Sequence, residues 1–212
     1  IVDGLIKAKL VKEVGLAGNG VGRKACLLQI DSSSMVSIGI QLDKGYIGAA
    51  IINFNGEILD KIDSYENVKS FSPENIAYKI GEIVNCLLDK IHQQGSKVLG
   101  IGVAVPGLID TENGKVIFSA QLQWKQKNLA DLFKKEVNGL PIKIDNEMKA
   151  RAIAESFYGI AKSSRRAVLM NIGSGVGAAL IINGEVYRGS SNIAGEIGHI
   201  TVDPNGLLCE CG

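Results

Sequence analysis

The stretch that decides the fold occurs twice. Ile47-Gly48-Ala49-Ala50-Ile51-Ile52 leads through Asn55-Gly56 to Glu57-Ile58, and Val176-Gly177-Ala178-Ala179-Leu180-Ile181-Ile182 leads through Asn183-Gly184 to Glu185-Val186. An apolar, β-branched run broken by Asn-Gly is a strong short-range mark of a β-hairpin. Gly48 and Gly177 lie 129 residues apart, which is the spacing of a domain-sized unit. Two copies of an α/β unit, each opening on a Gly-rich hairpin, explain the recurrence better than chance does. Only 35 residues follow Gly177, so the expectation is a chain that stops inside its second copy.

Outward from the first copy the pattern is α/β. Val36 to Ile40 and Ile47 to Phe54 read as strands. Ser72 is a cap with Pro73 at the first helical position, and Ile76, Ala77, Ile80, Ile83, Val84, Leu87, Leu88 and Ile91 share one helix face, which Gly95 ends. Val98 to Val105 is almost unbroken apolar sequence, the mark of a strand buried on both faces, and it stops at Pro106-Gly107. A loop is expected to Trp124, a helix over Leu129 to Val137, a strand over Pro141 to Ile144 and a helix from Asn146 to about Tyr158. Ala167 to Asn171 starts a new sheet.

Composition excludes several classes. Of 212 residues, 46% are apolar and 21% charged, which sets disorder and collagen-like repeats aside. The balance of 23 basic and 22 acidic residues leaves no overall field to mark nucleic acid or membrane, so any such contact is local. No run approaches the roughly 18 apolar residues of a spanning helix. Lys7, Lys9 and Lys12 interrupt any signal-peptide core, and the four cysteines include Cys26 and Cys86 within apolar runs, so a reduced, cytoplasmic chain is expected. Residues 1 to 30 are locally basic: Lys7, Lys9, Lys12, Arg23 and Lys24 face only Asp3 and Glu13. Two apolar stretches joined by Gly15 to Gly22 read there as a basic hairpin with a glycine-rich tip, either a functional arm or a solvated terminus.

Three constellations carry chemistry. Glycines at 173, 175 and 177 offer backbone N–H groups to an anion, although a tight hairpin needs glycines anyway. The matching turn of the first copy, Gln41-Leu42-Asp43-Lys44-Gly45, carries a carboxylate that repels phosphate. Asp145-Asn146-Glu147 sits between a strand and a helix, where α/β sheets place ligands; it is either a sugar-hydroxyl and general-base site or an ordinary helix cap. His199, Cys209 and Cys211 supply three zinc-type ligands where a tetrahedral site requires four, or else are a core histidine and two unpaired thiols.

Together these residues resemble the ROK family of sugar kinases and sugar-responsive repressors. The resemblance rests on Val105-Pro106-Gly107-Leu108-Ile109-Asp110, Asp145-Asn146-Glu147, the Gly173 to Gly177 loop, Glu196-x-Gly198-His199, and Cys209-x-Cys211-Gly212. It implies an α/β, duplicated ribonuclease H-like (actin-like ATPase) fold with a truncated second half. Residues 1 to 35 resemble the wing and linker of a winged-helix DNA-binding domain, 36 to 147 the first α/β domain and 148 to 212 the start of the second. Structural zinc is implied at His199, Cys209 and Cys211, with its fourth ligand beyond residue 212. The positions matching sugar contacts are Gln121, Asn146, Glu147, Glu196 and His199, with Gln121 standing where the family often has Asn.

The family's kinases carry an Asp-x-Gly-Gly-Thr phosphate turn, and here Gln41 and Asp43 replace its Asp and its close-approach Gly. Glu147 stands where the kinase base is an Asp. Phosphoryl transfer depends on positioning and charge stabilisation, so the expectation is a non-catalytic relative. The reading is therefore the sensor portion of a cytoplasmic repressor. It would take a monosaccharide effector between its halves, reach operator DNA through an N-terminal domain mostly absent here, and act as a homodimer or higher homo-oligomer. The alternative is an ATP-dependent sugar kinase of the same family.

Overall fold

The computed structural model describes residues 1–17, 25–32, 34–137, 139–173, 175–209 and 211. A short helix α1 (Val2–Lys7) leads into the strand pair β1 (Val11–Ala17) and β2 (Ala25–Ile30). Then come β3 (Met35–Asp43), β4 (Tyr46–Asn53), β5 (Ile58–Ser64), helix α2 (Pro73–Gln94) and β6 (Lys97–Val105). A small meander, β7 (Leu108–Asp110), β8 (Lys115–Ser119) and β9 (Trp124–Asn128), precedes α3 (Leu129–Glu136), β10 (Ile142–Asn146) and α4 (Glu147–Phe157). The described chain ends on β11 (Arg166–Ile172), β12 (Val176–Ile182), β13 (Glu185–Tyr187) and a 3-10 turn at Ile197–His199.

The central sheet has the order β10-β6-β3-β4-β5, with β3, β4 and β5 antiparallel and β6 and β10 parallel to β3. The two halves of the sequence repeat occupy equivalent places. Gly48 is the partner of Gln41 in the β3–β4 hairpin, and Gly177 is the partner of Asn171 in the β11–β12 hairpin. The Asn-Gly turns nevertheless differ. Asn183 and Gly184 both take positive φ, 57° and 84°, as a two-residue primed turn requires. At the first turn only Gly56 does, and Asn53 Oδ1 instead accepts the N–H groups of Asn55 and Glu57, both at 3.0 Å.

The core follows the apolar periodicities. One face of β3 (Val36, Ile38, Ile40, Leu42) packs with α2 (Ile76, Ile80, Val84, Leu87, Ile91) and α3 (Leu129, Phe133) in a single cluster. Ser72 Oγ accepts from Asn75 N–H at 3.2 Å, Pro73 opens α2, and Gly95 closes it in the left-handed conformation, as the spacing predicts. A second, smaller cluster joins Met148 and Ala152 of α4 to Ala179 and Ile181 of β12.

Several expectations are corrected. The first apolar stretch of the N-terminal arm, around Gly4-Leu5-Ile6, is the helix α1, and the hairpin is made by β1 and β2, with β1 running past Gly15 to Ala17. Most of the expected tip, Gly15 to Gly22, lies outside the described residues, as do Arg23 and Lys24. The segment expected as loop before Trp124 contains β7 and β8, which pair with each other and, through β8, with β9. β6 is not covered on both faces: Ile101, Val103 and Val105 are buried, but Gly102 and Leu99 are exposed. Cys26 and Cys86 are exposed in spite of their apolar neighbours. Among the described residues, no helix is long and apolar enough to cross a membrane.

Candidate functional site

The N-terminus of α4 is built around Asn146. Its Oδ1 accepts the N–H groups of Met148 (2.9 Å) and Lys149 (3.1 Å), while its Nδ2 donates to the carbonyl of Gly107 (2.9 Å). The cap reading of Asp145-Asn146-Glu147 is therefore realised, and it locks the end of β10 to the Pro106-Gly107 turn. Asn146 also borders a cleft of about 520 Å³.

That cleft brings the expected residues together. Gln121, Asn146, Glu147, Glu196, His199, Cys209 and Cys211 all line it, joined by Asp43 from the end of β3. The turn at Asp43 closes on itself, since Asp43 Oδ1 accepts the N–H of Lys44 at 2.6 Å. Ser174 of the glycine loop lies outside the described residues, but Gly175 and Gly177 line the cleft.

Glu147 is the first residue of α4, and its side chain is only 13% exposed. Burial pushes its carboxyl up from the ordinary carboxylate range; Arg151, at 3.5 Å, pulls the other way, and the charges of Asp43 and Glu196 push it further up. Three carboxylates facing one cleft suit a neutral polyhydroxy ligand, whose hydroxyls donate, and disfavour a polyphosphate.

Glu196 and His199 sit on the loop after β13, with Glu196 Oε2 3.9 Å from His199 Nε2. The loop backbone lies directly on β12. Gly195 has φ +93° and Gly198 approaches Val176 so closely that a Cβ at either position would collide with the carbonyl oxygen of Ala178 or Val176. Glycine is thus required at both positions, directly before Glu196 and directly before His199.

At the rim, His199 Nδ1 lies 3.1 Å from Cys211 Sγ and 3.8 Å from Cys209 Sγ, and the three ligand atoms fall within 4.8 Å of one another. Zinc bonds of about 2.0–2.3 Å at tetrahedral angles place ligand atoms about 3.5 Å apart, so this nitrogen and sulfur set fits that ion with one position left over.

Five polar residues around the cleft are not identified by sequence reasoning. Arg151 Nη1 donates to Asn171 Oδ1 at 3.1 Å. Arg188 makes a two-pronged pair with Asp145 and also donates to Asn192 Oδ1 at 3.2 Å. Lys149, 1% exposed, donates to the carbonyl of Asn192 at 2.8 Å. Lys149 had a local signal, because it falls with Met148 and Ala152 on the buried face of its helix. Arg151 and Asn171 are joined across 20 residues and Arg188 reaches Asp145 across 43, separations that leave no local pattern.

An open α/β sheet joined to a second β-meander, with a carboxylate-lined cleft where they meet, is the architecture of the actin-like sugar kinases and the regulators related to them. A ROK family transcriptional regulator, a homologue of the Escherichia coli MLC protein, superposes with a TM-score of 0.80 at 27% identity, over 100% of this chain and 53% of that one. A ROK family glucokinase from Streptomyces griseus, in complex with glucose and AMPPNP, superposes with a TM-score of 0.72 at 28% identity, over 84% of this chain and 54% of that one. The xylose repressor of Bacillus spizizenii is 33% identical over 211 residues, covering 100% of this chain and 54% of the relative. The ROK family profile matches residues 37–212, and the chain belongs to that family. It spans about half the length of the curated relatives it matches.

Proposed function

We propose that this chain is the sugar-sensing portion of a ROK-family transcriptional repressor. The observation that carries the reading is the extent of the similarity: the xylose repressor and the regulator structure match all of this chain, including residues ahead of the family profile, which begins at 37. Those leading residues hold the β1–β2 hairpin, exposed along nearly its whole length, which suits the wing of a winged-helix domain. A monosaccharide would lie in the cleft against Gln121, Asn146, Glu147, Glu196 and His199, and xylose is the first candidate because relatives at 33% identity bear that name. His199, Cys209 and Cys211 would hold a structural zinc with a ligand from outside this chain. Closure around the sugar would move the hairpin, and with it the DNA-reading domain of a cytoplasmic homodimer or higher homo-oligomer. Regulation then requires that the sugar bind one arrangement better than the other, typically by about 1–3 kcal/mol.

A second reading, an ATP-dependent sugar kinase, is favoured by one observation: the glucokinase structure with glucose and AMPPNP shares the fold. Against it stand Asp43 and Glu147, two acidic residues that line the cleft and would repel a polyphosphate there.

The test is operator affinity of the full-length protein with and without sugar. A charge-assisted hydrogen bond is worth about 1.5–3 kcal/mol, so Glu196→Gln should raise the sugar needed for release at least about tenfold and leave sugar-free operator binding intact. Release at the unsubstituted protein's sugar concentration would remove Glu196 from the effector site.

A further inference from the structure

The loop that carries Glu196 and His199 is tied to the other side of the cleft through one residue. Asn192 takes φ +60°, and every polar group of its side chain, as well as its carbonyl, is engaged. Its Nδ2 donates to the carbonyl of Ile109 in β7 at 2.7 Å, its Oδ1 accepts from Arg188 at 3.2 Å, and its own carbonyl accepts from Lys149 at 2.8 Å. Arg188 in turn grips Asp145 at the end of β10 with both terminal nitrogens. β7, through Ile109, and β10, through Asp145 and Arg188, therefore reach the loop from outside the β11–β13 sheet, while α4, which packs on β12, holds it through Lys149.

We infer that Asp145, Lys149, Arg188 and Asn192 form a latch that fixes how far the Glu196 loop closes over the cleft, Asn192 being a positioning residue for the effector. The inference rests on the sensor reading above. Its physical basis is the cost of undoing the latch. Lys149 is almost wholly buried, and opening the loop strips its ammonium of the Asn192 carbonyl. A buried donor without a partner is costly, as is an interrupted charge pair, so the loop has one favoured position rather than a range. Burial already draws the Lys149 ammonium down from its ordinary value, Arg188 adds to this, and the negative charges of Glu196 and Asp145 hold it up. Lys149 thus joins two places at once, its ammonium donating to the Asn192 carbonyl at 2.8 Å and its backbone N–H donating to Asn146 Oδ1 in the cap of α4 at 3.1 Å.

Asn192→Gly keeps the positive φ at no steric cost and removes the side-chain bonds, and the Arg188 and Asp145 variants, which add no glycine, separate that loss from glycine's own flexibility. Arg188→Met, Asp145→Ala and their double form a thermodynamic cycle on the pair. In the full-length protein, D-xylose and D-glucose are titrated against operator release, and amide hydrogen exchange is followed across residues 189–199. The expected result for Asn192→Gly is exchange in that loop at least tenfold faster, with β3 and β4 unchanged. Sugar-free operator affinity stays intact, and release needs at least tenfold more sugar. The Arg188→Met/Asp145→Ala double should cost no more than the worse single variant, because the two residues act as one unit. Unchanged exchange in the loop, or additive effects in the cycle, overturns the latch whatever the sugar result. Accelerated exchange in a protein whose unsubstituted form responds to neither sugar keeps the latch and overturns the sensor reading instead.

Discussion

Arg151 holds Glu147 and Asn171 at once: one guanidinium nitrogen donates to Asn171 Oδ1 at 3.1 Å and the other lies 3.5 Å from Glu147 Oε2. One cation thereby joins the first turn of α4 to the end of β11. Burial of Glu147 still outweighs this pairing, and its carboxyl is pushed up. A carboxyl raised on folding favours the fold while protonated, and that contribution is lost as pH rises through the folded value. Glu147→Gln should therefore melt higher than the unsubstituted protein at pH 7, and the gain should vanish as the pH falls below the ordinary carboxylate range. For a chain of this size each 1 kcal/mol appears as about 2–4 °C. Thermal melts between pH 4 and 8 check it; a lower melting point for the variant at pH 7 means the Arg151 pair outweighs burial.

A second expectation concerns catalysis. Asp43 and Glu147 both present carboxyl groups to the cleft, and their negative charge disfavours a γ-phosphate beside them. Full-length protein incubated with ATP, magnesium and a panel of hexoses and pentoses should release no ADP above background. Turnover near one per second, within the usual kinase range of about 1–100 per second, establishes the kinase reading.

What the sequence made legible was local. Ser72-Pro73 and Gly95 delimit α2 because caps and left-handed glycines act within a turn. The cleft residues were found through short motifs, and the structure draws Glu147, Glu196 and His199 to one place. β9 was not legible, since Trp-Lys-Gln-Lys-Asn has little strand propensity and Gln126 takes positive φ, 52°, so pairing with β8 decides its state. The open face of β6 was misread because an apolar run records what a strand tolerates on each face, not what covers it. Asp145 and Arg188 are 43 residues apart and Asn192 reaches back 83 to Ile109, distances over which no periodicity carries information.

A third expectation concerns the metal. His199, Cys209 and Cys211 are all exposed, and their ligand atoms lie within 4.8 Å of one another, a spacing that one zinc ion would span. Full-length protein should carry one zinc per chain, and Cys211→Ser should lose it and loosen the loop bearing Glu196. Closed structural sites contribute folding energy directly, so chelation should lower the melting point as well. Elemental analysis decides: freshly purified full-length protein without zinc removes the claim.

The last expectation comes from Gln121. Its Oε1 is buried in the wall of the cleft and, among the described residues, has no hydrogen-bond donor. A buried acceptor in that state costs about 1–3 kcal/mol, which a ligand hydroxyl placed against it recovers on binding. Gln121→Met keeps nearly the same length and volume but removes the acceptor, so the two effects separate. The free protein should melt no lower than the unsubstituted one, because an unpaired polar atom has been replaced by an apolar one. Sugar affinity should fall by about two- to tenfold, the worth of one neutral hydrogen bond. Calorimetric titration with D-xylose beside a thermal melt of the same preparation checks both. If the variant melts lower and binds sugar equally well, Gln121 supports the cleft wall and does not read the effector.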